Sequence, residues 1–267
     1  VMRDVSKLEM GVELFGKSYS MPVGLAPVGF SGMFHRRGEA QAARAAHAAK
    51  IPVTLSTLSI CGVEEVTKTS GAPIWFQLYM LKDRGYMREL LSRAKAVGSP
   101  VLVFTVDLPL PGSRYRDVRS GFTGSTPLQA AMTQAWDGVT HPEWTWDVFV
   151  KGRPHTLGSV MGAVKEGRRV TDFLSWIARN FDRSVTWKDL DWVRETWDGP
   201  IVVKGVLDPE DARDAAKAGA QGLVVSNHGG RQLDGVRSSI SALPRIADAV
   251  GGDLEIYMDG GVRSGLD

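Results

Sequence analysis

The feature that most constrains the fold is a regular alternation of short apolar runs with helical segments. Seven runs are rich in β-forming residues and end near glycine, proline or polar residues: Pro22–Pro27, Ile51–Ser56, Pro73–Tyr79, Pro100–Asp107, Pro200–Gly205, Gly222–Ser226 and Leu254–Asp259. Helical patterns include Gly38–Lys50, Asp83–Val97 and Pro209–Gly219, the last with Asp208 as N-cap. This alternation predicts an α/β fold of parallel strands and crossover helices, in a doubly wound sheet or a barrel.

Polar residues within the runs favour the barrel. Because side chains alternate faces along a strand, Gln77 shares a face with Tyr79, as Thr105 does with Asp107. In five runs this face becomes polar toward the carboxyl end, so polar groups from five strands should converge on one mouth. The residues expected there are Ser56, Gln77, Tyr79, Thr105, Asp107, Arg114, Lys204, Ser226, His228 and Arg231.

Length supports the same fold. The chain has 267 residues, close to the roughly 250 of a single barrel. A closed barrel needs an eighth strand, so we predict a (β/α)8 TIM barrel that is truncated at both ends. Residues 1–267 would then form one incomplete barrel domain, in which residues 120–199 are an insertion and capping region after the fourth strand.

The insertion holds seven of the eight tryptophans. Exposed tryptophan near the basic patch Lys165–Arg169 would suit a lipid interface, whereas a folded cap would use the rings for packing. Packing is favoured for Trp176, Trp187, Trp192 and Trp197. For residues 121–164 both interpretations stay open.

Composition argues against several other classes of protein. The net charge of +2 and the scattered basic residues give no reason to expect nucleic-acid binding. The single cysteine, Cys61, excludes an internal disulfide and is expected to pack rather than react. Because His35, His47, His141 and His155 lack paired ligand spacing, we predict no metal site. The single cysteine fits a reducing, cytoplasmic compartment best. No run is long enough to span a membrane, and contact at the inner face of the cell membrane is left open.

The mouth residues predict chemistry on a substrate that carries a carboxylate. Arg114 and Arg231 can hold a carboxylate, and His228 beside Asp107 can abstract a proton. Lys204 would either form a Schiff base or place a fixed positive charge beside an electron-accepting cofactor. The set has no electron sink of its own, so a redox reaction would need a cofactor.

Five segments carry a resemblance to a known family: Trp75–Tyr79, Thr105–Pro109, Val203–Val206, Ser226–Gln232 and Asp259–Arg263. In this order they resemble the FMN-dependent L-2-hydroxy acid dehydrogenases and oxidases, which include glycolate oxidase, L-lactate dehydrogenase and mandelate dehydrogenase. Three further segments are most similar to the bacterial quinone-linked L-lactate dehydrogenases: His141–Asp147, Gly152–His155 and Ser184–Leu190.

The resemblance implies FMN as cofactor and a role for each matching position. His228 would be the active-site base oriented by Asp107, Arg231 and Arg114 would hold the substrate carboxylate, and Tyr79 would bond the substrate near its hydroxyl. The residues implied to contact FMN are Gly29, Ser56, Gln77, Thr105, Lys204, Ser226, Asp259, Gly261 and Arg263. Among these, Lys204 would face the flavin edge where negative charge accumulates, and Asp259, Gly261 and Arg263 would hold the ribityl-phosphate end.

Some of the family pattern is absent from this chain. A second substrate-contacting tyrosine and a Gly-Arg pair for the phosphate lie outside it. Gly29 stands where the oxidases often have alanine, which favours an acceptor other than oxygen.

We therefore predict oxidation of L-lactate to pyruvate. His228 would take a proton, and two electrons would pass to FMN, by hydride transfer or through a carbanion, and then to a membrane quinone. A homo-oligomer in peripheral contact with the membrane is expected. The alternatives are another 2-hydroxy acid such as mandelate or glycolate, an inactive barrel fragment, and a phosphate-binding barrel of unrelated chemistry, which would leave the His228, Arg231 and Arg114 grouping without a purpose.

Overall fold

The computed structural model describes residues 4, 6–108, 112, 114–120, 126–160, 176–177, 179–232 and 234–267. Its strands are β1 Val12–Leu14, β2 Lys17–Tyr19, β3 Thr54–Leu55, β4 Trp75–Tyr79, β5 Leu102–Thr105, β6 Ile201–Val206, β7 Gly222–Val225 and β8 Glu255–Met258. The helices are α1 Ser31–Phe34, α2 Gly38–Ala48, α3 Val63–Ser70, α4 Arg84–Ala96, α5 Tyr115–Arg119, α6 Pro127–Thr140, α7 Pro142–Trp144, α8 Lys188–Thr196, α9 Pro209–Lys217 and α10 Ser239–Val250. A π-helical turn covers Thr145–Val150, and a 3₁₀ turn covers His228–Gly230.

Strands β3 to β8 form one parallel sheet, in which they lie side by side in chain order. A doubly wound sheet would reverse its strand order at a switch point, whereas a barrel adds each strand next to the last. The observed order is therefore that of a TIM barrel, here an open arc of six strands. The predicted fold class is confirmed.

The first predicted strand is wrong in extent. Within Pro22–Pro27 only Leu25 forms a bridge, parallel to Val53 beside β3. The prolines at both ends of this run have no N–H to donate, and neither has Pro52 in the neighbouring run. The run thus lies where the first barrel strand belongs, but its hydrogen bonding is too sparse for a regular strand.

A β-hairpin that the sequence pattern did not predict closes the amino-terminal end of the sheet. Strands β1 and β2 pair antiparallel around Phe15 and Gly16, which both have positive φ angles. The Phe15 ring lies 5.8 Å from the Trp75 ring and 6.5 Å from the Tyr257 ring, measured between centroids. Because Trp75 begins β4, the hairpin packs at the end opposite the predicted mouth.

The predicted helices form, and Asp208 is the N-cap that the sequence predicted. The Asp83 side chain accepts a hydrogen bond from the Tyr86 backbone N–H at the start of α4, and Asp208 caps α9 by accepting one from Glu210. The four tryptophans expected to pack do so: Trp197 is fully buried, and the other three, Trp176, Trp187 and Trp192, are partly buried against the core. The Lys165–Arg169 patch lies outside the described residues.

Candidate active site

An uncharged ladder of hydrogen bonds crosses the carboxyl ends of β3, β4 and β5. Ser56 Oγ donates to Gln77 Oε1 at 3.2 Å, and Gln77 Nε2 donates to Thr105 Oγ1 at 3.0 Å. All three side chains are buried. Side-chain parity predicted that they share a face, and these bonds confirm it. Thr57, which the sequence did not single out, braces the ladder: its hydroxyl donates to the Gln77 carbonyl and accepts from the Tyr79 N–H.

A charged group continues the ladder across β6, β7 and β8. Lys204 is only 4% exposed, and its Nζ lies 2.8 Å from Ser226 Oγ and 2.7 Å from Asp259 Oδ2. Ser226 Oγ also accepts the backbone N–H of His228 at 3.0 Å. The sequence placed no acidic neighbour at the strand end of Lys204, but Asp259 reaches it from two strands away. One serine hydroxyl thus joins the lysine to the histidine loop.

His228 and Asp107 form the expected pair. His228 Nδ1 lies 2.9 Å from Asp107 Oδ1, although the two residues are 121 positions apart. A proton on Nδ1 held by the carboxylate leaves Nε2 as the acceptor, which is the tautomer that a general base needs. His228 has φ of 56° in a turn with Gly229 and Gly230, also at positive φ. Only glycine tolerates such angles without cost, so the histidine conformation is strained, as is common at functional sites.

Two arginines approach each other beside this pair. Burial, followed by the positive charge of Arg231, lowers the pKa of Arg114, so the guanidinium groups lie close enough to repel. Two cations held near each other are suited to an anion such as a carboxylate. Burial, together with the Asp107 charge, raises the pKa of Tyr79, whose ring packs 5.1 Å from that of Phe181. Tyr79 therefore stays a neutral hydrogen-bond donor.

Two glycines that the sequence reasoning left without a role lie against site residues. A Cβ on Gly112 would come within 2.2 Å of the Arg231 carbonyl oxygen, and one on Gly205 within 2.5 Å of Asp107 Cγ. Both positions require a close approach of backbone, which only glycine allows. Strand parity gives no signal for either, because it describes regular strands and not the packing of neighbouring loops.

Several described groups fit an FMN cofactor. A buried lysine cation suits the flavin edge that gains negative charge, and the amide and hydroxyl groups of the ladder suit the polar ring edge. Asp259 Oδ1 is buried without a hydrogen-bond partner, which is unusual unless another molecule supplies one. A Cβ on Gly29 would lie 3.3 Å from Leu58 Cβ and 3.8 Å from Ser56 Oγ, so the chain passes close to the ladder there.

Other predicted positions are less tightly placed. Gly261 and Arg263 lie in an exposed loop after β8, where the Arg263 N–H donates to Asp267 Oδ2. Their phosphate-binding role stays a prediction. Cys61 is fully buried, and burial raises the pKa of its thiol, so it packs as expected. Within the described ranges no His, Cys, Asp and Glu side chains are grouped to hold a metal ion.

The family of FMN-dependent dehydrogenases matches residues 1–267. The chain therefore belongs to this family, and the predicted cofactor FMN is confirmed.

Solved structures agree with this assignment. Mandelate oxidase with (S)-4-hydroxymandelic acid has a TM-score of 0.80 and 38% sequence identity, with 99% of this chain and 67% of that chain covered. Mandelate oxidase with benzoyl-formic acid has a TM-score of 0.76 at 37% identity, covering 99% and 65%. The monotopic membrane protein (S)-mandelate dehydrogenase has a TM-score of 0.87 at 32% identity, covering 99% and 69%. The chain thus spans about two thirds of these relatives.

Proposed function

We propose that the complete protein oxidises L-lactate to pyruvate with FMN and passes the electrons to a membrane quinone. The observation that carries the proposal is the His228–Asp107 pair, 2.9 Å apart. The charges of Asp107 and Arg114 both act on Tyr79, and that of Arg231 acts on Arg114. A base next to a carboxylate-binding site is the arrangement that removal of a proton from a 2-hydroxy acid requires.

Each described side chain has a task in this reaction. The two arginines hold the substrate carboxylate, and the neutral Tyr79 phenol donates to the substrate oxygen. The substrate loses two electrons and two protons as its alcohol carbon becomes a ketone, and His228 Nε2 receives one of those protons. Asp107 stabilises the resulting imidazolium. When bound, FMN would accept the electron pair and the second proton, and Lys204 provides a fixed positive charge in its site.

The choice of L-lactate rests on the three segments similar to quinone-linked lactate dehydrogenases. One of them begins beside Asp182, which Arg84 holds at 2.6 Å, and Arg84 also contacts Asp189 within the segment at 3.1 Å. This network fixes the chain next to Phe181, the ring that packs on Tyr79. The segment therefore follows, along the chain, the ring that packs on Tyr79.

Mandelate is the second candidate substrate. The solved relatives at 32 to 38% identity are mandelate enzymes, and one is crystallised with (S)-4-hydroxymandelic acid. Glycolate, another 2-hydroxy acid, is a further candidate.

A membrane-bound acceptor is supported by an exposed apolar surface on α6. Leu128, Met132, Trp136 and Val139, which lie three or four residues apart on one helix face, are 71%, 65%, 69% and 76% exposed. No described side chain of α6 is buried. A short helix without packing is marginal in water, so an outer molecule is needed to cover this face. A bilayer surface suits it because the exposed face combines leucine, methionine and valine with the tryptophan Trp136, a residue type common at the boundary between headgroups and acyl chains.

Cations flank the aromatic residues that follow α6. Lys151 Nζ lies 5.4 Å from the Trp146 ring, and the Arg153 guanidinium 5.2 Å from the Phe149 ring. Such pairs suit the boundary between acyl chains and anionic headgroups. Trp144 Nε1 donates to the Met33 carbonyl at 3.0 Å, which attaches this region to α1, soon after Gly29 in the chain. The surface is thus tied to the mouth side of the barrel.

Attachment would be peripheral, at the inner face of the cell membrane, with the protein as a homo-oligomer. None of the described helices combines the length and apolar character that crossing a bilayer requires. The matching (S)-mandelate dehydrogenase is a monotopic membrane protein, which supports attachment to one face of a membrane.

Anaerobic mixing of the full-length protein with L-lactate tests the proposed reaction. We expect the flavin absorbance to bleach, and to return when a quinone is added. An unbleached flavin would contradict the oxidation of L-lactate. A panel of L-lactate, (S)-mandelate and glycolate ranks the substrates by kcat/KM, and a higher value for mandelate would select the second candidate.

Flotation of the full-length protein with vesicles of anionic lipid tests the surface. Met132→Ser and Trp136→Ser should each reduce the floating fraction several-fold. Gln134→Ser, on the opposite side of α6, is the matched control and should float as the original does. Equal flotation of all variants would exclude lipid as the occupant, and a loss of oligomers in Trp136→Ser would assign the surface to a second copy.

A further inference from the structure

Gly205 interrupts strand β6 at the level of the active site. Its φ of 110° is in a region that residues with side chains rarely adopt, and the pairing of β6 with β7 shifts register between Lys204 and Val206. In a regular strand residue 205 would face away from Lys204. Because of the bulge, a Cβ on residue 205 would instead point toward the end of β5.

The space beside Gly205 is filled by Asp107. A Cβ on Gly205 would lie 2.5 Å from Asp107 Cβ, 2.5 Å from its Cγ and 2.8 Å from its Oδ2. The first of these atoms is next to the backbone, so rotation of the Asp107 side chain cannot relieve the conflict. The β5 chain is also held here, because the Val106 N–H donates to the Lys204 carbonyl at 2.9 Å. Any side chain on residue 205 must therefore displace Asp107 itself.

We propose that Gly205 is a positioning residue. Because it has no side chain, Asp107 can occupy the adjacent space, from which it reaches and orients the base His228. The role rests on the proposed function, in which Asp107 fixes the imidazole through the 2.9 Å bond to Nδ1. The same glycine adjoins Lys204 in the chain, and the three nearest atoms from outside its own stretch of chain all belong to Asp107. Its effect should therefore fall on proton removal more than on substrate or FMN binding.

Backbone strain is the competing explanation, and Gly219 provides its control. Gly219 also has a positive φ, 85°, but its nearest neighbour is the end of the flexible Arg194 side chain at 3.5 Å. Gly219→Ala thus introduces strain without touching the site.

The test compares full-length FMN-loaded variants by anaerobic stopped-flow reduction with the substrate. Gly205→Ala should slow flavin reduction at least about tenfold, with KM and FMN content changed less than about threefold. Gly219→Ala should keep the original rate. In an Asp107→Gly background, Gly205→Ala should slow flavin reduction less than about threefold, since the conflicting atoms are gone and only the backbone strain is left. An equal loss of rate in both backgrounds would overturn the proposal.

Thermal unfolding of the same variants gives an answer that does not depend on turnover. Gly205→Ala should lower the Tm more in the original protein than in the Asp107→Gly background, where only the backbone strain at φ 110° is left. If Gly205→Ala fails to fold, the Asp107→Gly/Gly205→Ala double variant should fold, and its failure to fold would overturn the proposal. A failure of the original protein to reduce its flavin with any 2-hydroxy acid would refute the proposed function instead, and the Tm comparison would still decide whether the two residues are coupled.

Discussion

The barrel mouth and helix α6 depart from the usual distribution of side chains in opposite directions. At the mouth, polar groups such as Gln77 and Lys204 are buried, and each has a hydrogen-bond partner on or directly after a neighbouring strand. On α6, large apolar groups such as Trp136 are exposed and find none among the described residues. Proteins commonly bury apolar groups and expose polar ones.

The difference shows what each region is built to receive. A buried polar group is stable only when its hydrogen bonds are satisfied, so the mouth is preorganised for a polar ligand. An exposed apolar stripe is stabilised only when another surface covers it. The first region satisfies most of its polar groups by itself and leaves Asp259 Oδ1 for a ligand. The second depends on a partner for its apolar face, so substitutions in the two should have different consequences.

The largest effect is expected from removing the base. His228→Asn should lower kcat by about 10³-fold while FMN stays bound, because the amide cannot accept a proton. Turnover by the full-length protein, with the flavin spectrum as the measure of loading, checks this. His47→Asn, at an exposed position in α2, is the control. Retention of full activity in His228→Asn would refute its role.

Replacing a core leucine and a surface leucine by alanine should have different effects on the free energy of unfolding. Leu78 in β4 is fully buried, so Leu78→Ala should lower the free energy of unfolding by about 2–5 kcal/mol. Leu128→Ala on α6 should change it by about 0.5 kcal/mol or less, because that side chain is 71% exposed. Urea denaturation measures both. A comparable loss in the two variants would mean that α6 is covered in solution.

A smaller effect is expected from exchanging one cation for another at the mouth. Arg114→Lys should raise KM for the 2-hydroxy acid about tenfold, because an ammonium group cannot form the paired bonds of a guanidinium. The maximal rate should change less. Arg116→Lys, exposed on α5, should leave both constants unaltered. A raised KM in the control alone would place the carboxylate elsewhere.

The smallest effect concerns the pH dependence of stability. Because the pKa of Tyr79 is raised by burial, the folded protein keeps this phenol proton at pH values where the unfolded chain has lost it. Its contribution is intact below about pH 10 and declines as the pH rises further. Tyr79→Phe should make that decline shallower, by up to about 1.4 kcal/mol per pH unit. Tyr115→Phe, with its ring 73% exposed, is the comparison variant.

The sequence predicted the parts of the site that follow from regular strands. The alternation of side chains is fixed by backbone geometry, so Ser56, Gln77 and Thr105 could be assigned to one face before their contacts were known. The strand order of a barrel likewise follows from alternating strands and helices together with the polar strand face that converges on one mouth. Helix starts at Asp83 and Asp208 were predictable because capping is local.

Features that depend on irregular backbone or distant packing could not be predicted in this way. The bulge at Gly205 breaks the alternation on which the parity argument rests. The Lys204–Asp259 ion pair spans an intervening strand, so its existence depends on the curvature of the sheet. The β1–β2 hairpin has strands of only three residues each, too short for a visible alternation.

The ladder over β3 to β5 has a direction. The side-chain oxygen Oε1 of Gln77 already accepts hydrogen bonds from Ser56 Oγ and from the Thr57 N–H. Its side-chain NH₂ group donates one to Thr105 Oγ1. What is left to offer outward, among the residues described, is a second amide hydrogen and the threonine hydroxyl hydrogen. This wall of the pocket therefore presents mainly hydrogen-bond donors. It should favour a ligand that turns carbonyl oxygens or unprotonated ring nitrogens toward it.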